Sequence, residues 1–317
     1  MIRAYFILGC TACGKGSAGR EVARRLGAEI ISVDSMKVYR RMDIGTAKPS
    51  AEARAEIPHH AVDVVEPAEA SSVAQWVALA EAAIDEIRRR GRPALCVGGT
   101  SLYIKAVRDG LFEGCGADEA IRARLTARVE AEGTAELHRE LAAIDPASAD
   151  RIHPNDAKRI IRALEVHKMT GRAISELQQQ WESQAGPRDD IRLIGLRRNK
   201  ADQSRRINAR VKRMVDMGLL DEVRGLLAEP AGLSDQAAQA VGYAEIIDHL
   251  AGRCSFEKAV EQIKINTRRL AKKQRTWMRR WPEVTWLDLA GDEATDAIAD
   301  RILMEIDRES RPPKKKS

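Results

Sequence analysis

The sequence predicts an α/β protein with a parallel sheet at its centre and a mostly helical insertion domain. Three observations predict this fold class. Short apolar runs alternate with segments of helical periodicity in the N-terminal third, a pattern typical of βαβ units. Between 117 and 190 only helical periods follow one another, and a strand pattern returns at 192–196. We therefore expect a core formed by 1–116 and 191–317, with a helical domain of 117–190 inserted into it.

The N-terminal elements are predicted to alternate between strand and helix. The run AYFILG at 4–9 predicts a buried strand that ends in glycine. A helix from Ser17 to Leu26 follows, and Gly27 ends it, as glycine often does at helix C-termini. Further strands are predicted at 29–33, 61–65 and 94–97, with a polar loop up to residue 58 and a long helix at 71–90.

The rest of the chain is predicted to be mostly helical. Two strands are expected there, at 192–196 and 284–289, and the tail from 311 onwards is expected to be frayed. Helices are predicted at 118–132, 134–143, 155–170 and 173–182 in the insertion, and at 201–229, 237–250 and 255–280 after it.

Composition excludes several classes of protein. The 317 residues are 44% hydrophobic and 32% charged, which are the values of a globular chain. The apolar runs are too short to span a bilayer, which takes about 18 residues. The five cysteines are scattered and odd in number, which is typical of free thiols in a reducing compartment. We expect a cytoplasmic protein without a membrane segment, and its net charge of +6 permits a polyanionic partner.

A glycine-rich loop between the first strand and the first helix is the strongest chemical signal. Its backbone N–H groups and the following helix N-terminus can hold a diphosphate, with Lys15 paired to phosphate oxygens. This predicts a P-loop NTPase-like core. An ordinary glycine turn, or a redox or metal pair formed by Cys10 and Cys13, are the other interpretations. The predicted diphosphate-binding residues are Gly9, Cys10, Thr11, Ala12, Cys13, Gly14, Lys15 and Gly16.

The loop departs from the usual pattern immediately after Lys15. That position normally carries a serine or threonine that coordinates Mg²⁺, and here it is Gly16. Ser17 follows one residue later, and one residue turns a helical side chain by about 100°. We expect Mg²⁺ as the cofactor, with Ser17 as the candidate protein ligand. Cys10 and Cys13 stand close to the same helix N-terminus, where thiolates and oxidation are favoured.

Several blocks along the chain resemble, in order, the tRNA dimethylallyltransferases, also called tRNA isopentenyltransferases. The two longest blocks run from Ser32 to Arg40 and from Met42 to Pro49. The resemblance covers roughly residues 4–290, and the ordered set is more specific than the phosphate loop. The other blocks are His59-His60 with Asp63, Val97-Gly98-Gly99-Thr100 with Leu102-Tyr103, Ile152-His153-Pro154-Asn155-Asp156, Arg162-Ala163-Leu164-Glu165-Val166, Val241-Gly242-Tyr243 and Lys272-Lys273-Gln274-Arg275-Thr276-Trp277.

The resemblance implies a prenyl transfer to tRNA. A dimethylallyl group passes from dimethylallyl diphosphate to the exocyclic amine of the adenosine immediately 3′ of the anticodon, and diphosphate leaves. The adenine is turned out of the anticodon stack, because an amine inside a stack cannot be reached. The implied partners are therefore tRNA, through its anticodon stem-loop, and dimethylallyl diphosphate. We expect the protein to act as a monomer.

The resemblance also implies which residues carry the chemistry. Asp34 corresponds to the group that takes the proton of the adenine amine, although a turn or helix-capping role is the other interpretation. Thr11 corresponds to a residue near the leaving oxygen, and Lys15 stabilises the departing charge. Arg206 or Arg210, four apart on a predicted helix, is expected to supply an arginine to the diphosphate.

Basic residues are concentrated where the resemblance places RNA. Between 262 and 281 the chain carries lysines and arginines but no acid. Four of them share one face of a helix, which suits phosphate contacts, although a solvated basic face is the other interpretation. At Lys37 the family often has glutamine; lysine keeps a hydrogen-bond donor at this position but cannot accept a hydrogen bond. The predicted tRNA-binding residues are Asp34, Ser35, Met36, Lys37, Thr100, Arg122, Lys158, Arg159, Arg162, Arg268, Lys272, Arg275 and Arg279.

Two groups of residues are predicted to be structural. His59 and His60 have no further ligands at a spacing diagnostic of a metal site, so we expect hydrogen-bonded structural histidines. Trp277 and Trp281 lie four apart on the basic helix and are expected to pack in the core.

Two other functions remain open from the sequence. A phosphate-loop kinase of small molecules, which would bind ATP, fits the N-terminal region but leaves the helical insertion and the basic helix unexplained. A catalytically impaired RNA-binding member of the family is suggested by Gly16 and by the cysteines of the loop, where the family usually carries proline and serine.

Overall fold

A computed structural model describes residues 2–110, 116–184 and 188–310. Its centre is a six-stranded sheet with strand order β3-β2-β4-β1-β5-β6, in which every neighbouring pair is parallel. The predicted fold class, an α/β protein with a parallel sheet, is therefore confirmed. The strands are β1 (Ala4–Gly9), β2 (Glu29–Val33), β3 (His59–His60), β4 (Ala94–Gly98), β5 (Ile191–Arg197) and β6 (Thr285–Asp288).

The helices surround this sheet or belong to the insertion. They are α1 (Lys15–Leu26), α2 (Ala51–Glu56), α3 (Val73–Arg89), α4 (Ser101–Asp109), α5 (Glu119–Glu132), α6 (Thr134–Ile144), α7 (Pro146–Arg151), α8 (Ala157–Thr170), α9 (Ile174–Gln184), α10 (Lys200–Asp216), α11 (Leu219–Ala228), α12 (Asp235–Ala238), α13 (Tyr243–Leu250), α14 (Phe256–Met278) and α15 (Thr295–Ser310).

The two faces of the sheet carry separate hydrophobic cores. Phe6 and Leu8 of β1 belong to one core, which includes residues of α3, α10 and α14. Ile7, between them, belongs to the other core, which includes residues of α1 and α15. Because side chains alternate across a strand, this assignment shows that β1 is covered on both faces. A central strand buried on both faces explains the uninterrupted apolar run of the sequence.

Three predicted elements differ from the structure. The strand expected at 61–65 is wrong: the strand is His59–His60, because Ala61 and Asp63 have φ angles of 56° and 55° that a strand cannot contain. The helix expected at 201–229 is two helices, divided at Gly218 (φ 95°), and the one expected at 237–250 is interrupted before Gly242 (φ 103°). Helices α2, α4, α7 and α15 had no counterpart in the prediction.

The chain divides into two compact units. One consists of Met1–Val107 and Asp189–Ser317, and the other of Arg108–Arg188. The second unit contains α5 to α9 around buried leucines such as Leu125, Leu137 and Leu164, and its described part has no strand. It is closed by a hydrogen bond from the Arg188 N–H to the Arg108 carbonyl (3.0 Å). This unit begins nine residues before the predicted segment 117–190 and ends two residues before it. Among the described residues, no helix is both long and apolar enough to cross a membrane.

Candidate active site at the carboxyl edge of the sheet

Three central strands end side by side and bring the predicted site residues together. Leu8 of β1 and Val33 of β2 are both in register with Gly98 of β4. The residues that follow these strands, Cys10, Asp34 and Gly99, therefore lie at one edge of the sheet, where parallel sheets place their ligands.

The phosphate loop connects β1 to α1 through unusual backbone conformations. Ala12 (φ 61°) and Gly14 (φ 102°) both lie in the left-handed region, and Gly14 caps the N-terminus of α1. A Cβ atom on Gly9 would lie 2.7 Å from the Cys13 Sγ atom and 2.7 Å from the Leu196 carbonyl oxygen. The loop therefore requires glycine at its start, where the backbones of β1 and β5 approach closely.

Side chains hold every carbonyl oxygen of the loop from Cys10 to Cys13. The donors, in that order, are Lys15 Nζ (3.2 Å), Gln203 Nε2, Arg206 Nε (3.1 Å) and Arg198 Nε (2.9 Å). These bonds use the carbonyl acceptors of the loop. The Thr11 N–H donates to Gln274 Oε1 (2.8 Å) and the Cys13 N–H to the Cys10 carbonyl (3.3 Å), so the N–H groups at the start of α1, which no side chain caps, are the donors that can bind an anion. The loop is therefore a candidate site for a diphosphate, because its carbonyl oxygens, which would repel an anion, are already bonded to side chains.

Arg198 is a residue that sequence reasoning missed. It is 6% exposed and pairs with the buried Asp202 (Nη1 to Oδ2, 3.2 Å), besides donating to the Cys13 carbonyl. It also donates to the Gly291 carbonyl (3.2 Å) and to that of Ala290. A buried arginine with a carboxylate four residues later is the only trace of this role in the sequence, and such pairs are common on surfaces.

Both candidate arginines of α10 lie at the site. Arg206 donates to the Ala12 carbonyl (3.1 Å), and Arg210 donates to the Thr46 carbonyl (3.3 Å). Burial lowers the pKa of the Arg210 guanidinium, and the Asp34 carboxylate opposes that shift. Arg206 therefore contacts the phosphate loop directly, whereas Arg210 contacts the segment around Thr46, and the roles of both at a leaving diphosphate stay predictions.

Asp34 begins the segment that follows β2. Its Oδ1 atom accepts hydrogen bonds from the N–H groups of Met36 (2.9 Å) and Lys37 (3.4 Å), and the Ser35 N–H donates to Thr100 Oγ1 (3.1 Å). Among the described residues, no hydrogen bond reaches Asp34 Oδ2. The turn role and the base role are therefore compatible, since one oxygen orients the carboxylate and the other can accept a proton.

Lys37 lies among charges of both signs. Burial of its ammonium group lowers the pKa of Lys37 to about 8; the Asp34 carboxylate opposes this shift, and Arg210, Lys15 and Arg20 add to it. Lys37 is thus an amine that can lose its proton close to neutral pH, which glutamine at this position could not do.

A half-buried acid, Glu222, holds the segment beyond Lys37. Both carboxylate oxygens of Glu222 accept backbone N–H groups, those of Asp43 (3.0 Å), Ile44 (2.7 Å) and Gly45 (3.2 Å), and the Tyr243 hydroxyl donates to Oε1 (2.5 Å). A Cβ atom on Gly45 would lie 2.4 Å from the Tyr243 ring. The blocks around Met42–Pro49 and Val241–Tyr243 are therefore explained by one packed contact. Glu222 itself was missed, because an acid on a predicted helix has no local signal.

Gln274 of α14 is a further residue at the site whose role the sequence did not predict. Its Oε1 atom accepts the Thr11 N–H (2.8 Å), and its Nε2 atom donates to the Gly99 carbonyl (2.9 Å). A Cβ atom on Gly99 would lie 2.7 Å from Gln274 Nε2 and 2.7 Å from the Gly9 carbonyl oxygen. The glycine after β4 is therefore required where the two loops and this side chain meet.

The loop cysteines are free thiols, as the sequence predicted, but Cys10 does not favour the thiolate. Cys10 and Cys13 are buried free thiols, 6% and 0% exposed. Burial raises the pKa of Cys10, and the opposing effects of Arg275 and Lys15 are smaller. The expectation of a favoured thiolate is wrong for Cys10, because loss of water outweighs the nearby positive charge. Cys96 and Cys254 are also free, and Cys115 lies outside the described residues.

The start of α1 has room for the hydroxyl that this sequence lacks. A Cβ atom on Gly16 would have nothing within 4 Å. The Ser17 hydroxyl donates to the Gly14 carbonyl (2.9 Å), so it is used locally. Within the described ranges, no group of three or more His, Cys, Asp or Glu residues could hold a metal ion. A magnesium ion here would rely on few protein groups.

The four basic residues predicted to share one face of α14, Arg268, Lys272, Arg275 and Arg279, differ in their exposure and in their contacts. Lys272 and Arg279 are exposed. Arg268 donates to Asn208 Oδ1 (2.8 Å) and lies 3.8 Å from Glu261, while the charge of Arg275 reaches Cys10 in the phosphate loop. Only part of the predicted stripe is therefore free for phosphates, and the rest contacts the protein.

The basic residues of the helical unit have partners within it. Arg122 (3.1 Å) and Arg162 (2.7 Å) both bind the buried Glu165 carboxylate, and Arg159 binds Asp156 (3.0 Å). Lys158 also has an interaction within the protein. These contacts fix α8 against the N-terminus of α5, since Glu165 also accepts the Asp118 N–H (2.9 Å).

The residues predicted to be structural divide into confirmed and corrected cases. His59 donates to the Ile57 carbonyl (2.6 Å) and His60 binds Glu29 (2.8 Å), which confirms structural histidines. Trp281 is buried, 5% exposed, as predicted. The prediction for Trp277 is wrong: this side chain is 37% exposed, because it lies on the solvent side of α14.

Comparison with known proteins identifies the family. The model of the IPP transferase family matches residues 37–281, more than half of the chain, and that of isopentenyl transferase matches 2–57. The chain is 44% identical to the tRNA dimethylallyltransferase of Geobacter metallireducens (91% of this chain, 93% of the relative) and 47% identical to that of Symbiobacterium thermophilum (96% and 95%).

Solved structures agree with the sequence relatives. The tRNA isopentenylpyrophosphate transferase of Bacillus halodurans has a TM-score of 0.69 at 41% identity, with 97% of each chain covered. A eukaryotic dimethylallyltransferase acting on tRNA has a TM-score of 0.81 at 25% identity, covering 100% of this chain and 82% of the other. With its phosphate loop and adjoining carboxylate at one edge of the sheet, the chain belongs to the tRNA dimethylallyltransferase family.

Proposed function

We propose that this protein transfers the dimethylallyl group of dimethylallyl diphosphate to the exocyclic amine of the adenosine 3′ of the anticodon in tRNA, with release of diphosphate. One observation carries the proposal: the phosphate loop follows β1 and Asp34 follows β2, the two strands that flank β4, and the two sites are joined through Gln274 and Thr100. A loop for the leaving group beside a carboxylate for the nucleophile is what the reaction needs.

The leaving group is bound by the loop. Departure of diphosphate from an allylic carbon separates charge, so preorganised donors at the departing oxygens contribute most to the rate. The N–H groups at the start of α1, Lys15 and the Thr11 hydroxyl provide these donors, and Arg206, which contacts the loop, and Arg210 are the arginines expected to assist them. The carbon–oxygen bond to the diphosphate breaks as the carbon–nitrogen bond to adenine forms.

The proton of the adenine amine goes to Asp34. Its Oδ1 atom is oriented by the backbone of the following turn, while Oδ2 is available for the proton. The Thr100 hydroxyl fixes the backbone beside it. A carboxylate held in this way removes the proton that the amine loses when it becomes alkylated.

The site fits a magnesium ion that is coordinated mainly by the diphosphate and by water. Mg²⁺ keeps several waters and often binds through few protein groups together with substrate phosphates. The open space at Gly16 is consistent with water where a hydroxyl normally stands, and Ser17 is the nearest hydroxyl on the chain. When bound, the ion neutralises charge on the leaving diphosphate. A cytoplasmic location and a monomeric state stay predictions.

One incubation tests the function. Protein, Mg²⁺, dimethylallyl diphosphate and an unmodified anticodon stem-loop with adenosine 3′ of the anticodon are combined, and nucleosides are analysed by mass. A gain of one dimethylallyl unit on that adenosine supports the proposal, and a stem-loop with guanosine at that position is the control. Binding of the stem-loop without transfer would instead identify an impaired RNA-binding protein, and ATP turnover without RNA would identify a kinase.

A further inference from the structure

The two halves of the candidate site are connected by one side chain from a distant part of the sequence. Gln274 accepts the N–H of Thr11 in the phosphate loop (2.8 Å) and donates to the carbonyl of Gly99 after β4 (2.9 Å). The amide of Thr11 is thereby engaged by the protein. Its hydroxyl, on the same residue, is the group that the proposed function assigns to the leaving oxygen.

The connection continues from Gly99 to the proposed base. Thr100 follows Gly99 directly, and its hydroxyl accepts the N–H of Ser35 (3.1 Å), the residue after Asp34. A continuous path of hydrogen bonds and two short stretches of backbone thus runs from the loop to the carboxylate. Among the described residues, Gln274 is the side chain that bonds to both the loop and the turn after β4.

We propose that Gln274 is a positioning residue that sets the separation between the prenyl donor and the adenine acceptor. This inference rests on the proposed function. In group transfer, a displacement of about 1 Å between the reacting partners costs up to about 10²-fold in rate, even when each partner is still bound. Loss of Gln274 therefore reduces the rate of transfer much more than it reduces the affinity for either substrate.

Close packing makes this role sensitive to the length of the side chain. The Gly9 carbonyl oxygen and Gln274 Nε2 both lie 2.7 Å from the position that a Cβ atom on Gly99 would occupy. Asparagine carries the same amide but is one methylene shorter, so it cannot reach both backbone groups from α14. Methionine has the length of glutamine but neither hydrogen bond.

The test compares Gln274→Met and Gln274→Asn with Gln262→Met, on the same helix. Gln262 bonds to Asn266 within α14 and not to the loop. Transfer is measured in single turnovers with saturating stem-loop RNA and dimethylallyl diphosphate. Binding of inorganic diphosphate with Mg²⁺, and of the stem-loop, is measured by calorimetry. Thermal melts of all variants show whether each is folded.

We expect both Gln274 variants to lose about 10–100-fold in single-turnover rate, with less than about threefold change in either affinity. Gln262→Met should match the parent protein in all three measurements. A rate within twofold of the parent in folded Gln274→Met and Gln274→Asn overturns the inference. So does a loss of affinity for either substrate as large as the loss of rate, since that is the result of general loosening. Failure of the parent protein to transfer the prenyl group overturns the proposed function, and the inference with it.

Discussion

The phosphate loop and the basic face of α14 are both predicted to bind anionic substrates, yet they are built differently. Every carbonyl of the loop from Cys10 to Cys13 is held by a side chain, and its glycine at the start is required by close contacts. On α14, Lys272 and Arg279 are exposed. The difference follows from what each must do: charge that develops on a leaving group needs donors at fixed positions, whereas an RNA backbone needs positive charge along a surface.

The largest effect on activity is expected at Asp34, whose carboxylate, like the phosphate loop, is held in a fixed position by hydrogen bonds. Asp34→Asn keeps an oxygen that can accept the Met36 N–H, so the turn should persist while the base is lost. Turnover should fall by about 10²–10⁴, with RNA affinity within a few-fold of the parent. Single-turnover kinetics and RNA binding measure the two effects. Near-normal turnover would remove Asp34 from the chemistry.

The exposed side of the comparison predicts a smaller, salt-dependent effect. Changing Lys272 and Arg279 to alanine together should weaken stem-loop binding by roughly 10–30-fold at low salt, since exposed ion pairs contribute up to about 1 kcal/mol each. The slope of log affinity against log salt should become less steep by about 1.4–1.8 units. Affinity for inorganic diphosphate should not change. Arg89→Ala, an exposed change on α3, is the control. An unchanged slope would mean that Lys272 and Arg279 face solvent and do not contact RNA phosphates.

Arg268 and Arg275 sharpen this test because, unlike the exposed Lys272 and Arg279, they interact with other parts of the protein. Arg268 is bonded to Asn208, and the charge of Arg275 reaches the phosphate loop. We expect Arg275→Ala to weaken diphosphate binding as well as RNA binding, unlike the Lys272 and Arg279 pair. Binding of each ligand by calorimetry separates the two outcomes.

A third prediction concerns Gly16, where the loop lacks the hydroxyl group that usually coordinates Mg²⁺. Gly16→Thr fits without collision, because a Cβ atom there has nothing within 4 Å. It should raise activity at limiting Mg²⁺ by about tenfold, the scale on which a metal's support affects affinity, and saturating Mg²⁺ should narrow the difference. Magnesium titrations of Gly16→Thr and Ser17→Ala decide between two ligands. If Ser17→Ala is the damaging change and Gly16→Thr brings no gain, Ser17 is the ligand.

The smallest effect is expected at Lys37, a cation confined in the site. Its pKa in the folded protein, about 8, lies below the ordinary 10.5, so between these values the unfolded chain binds more protons and stability rises with pH. Lys37→Gln should remove this rise and increase Tm at pH 7 by about 2 °C or more. Melts at pH 7 and at alkaline pH measure it. Lys258→Gln, at an exposed position of α14, should follow the parent at both pH values; a parallel shift of both variants would contradict the assignment.

Much of the site could be predicted because its signals are local. Gly9, Gly14 and Lys15 lie between a strand and a helix, and Asp34 follows a buried strand, so their placement at one edge of the sheet follows from parallel topology. The wrong strand at 61–65 and the wrong environments of Trp277 and Cys10 have another origin. Backbone angles at Ala61 and Asp63, and burial on one side of a helix or loop, depend on packing rather than on residue type.

The sequence by itself determined the alternation of strands and helices, the diphosphate loop and the basic helix. These arise from short-range periodicity and from residue types that the chemistry requires. Only the tertiary structure decided which side chains hold the loop in place: Gln203, Arg198 and Gln274 reach it from positions 185 to 263 residues away along the chain. Their partners are backbone carbonyl and N–H groups, which every residue carries. A hydrogen bond between a distant side chain and a backbone group leaves no pattern in the sequence, because every residue carries similar backbone groups. The contacts that position the site could therefore be identified only from the folded structure.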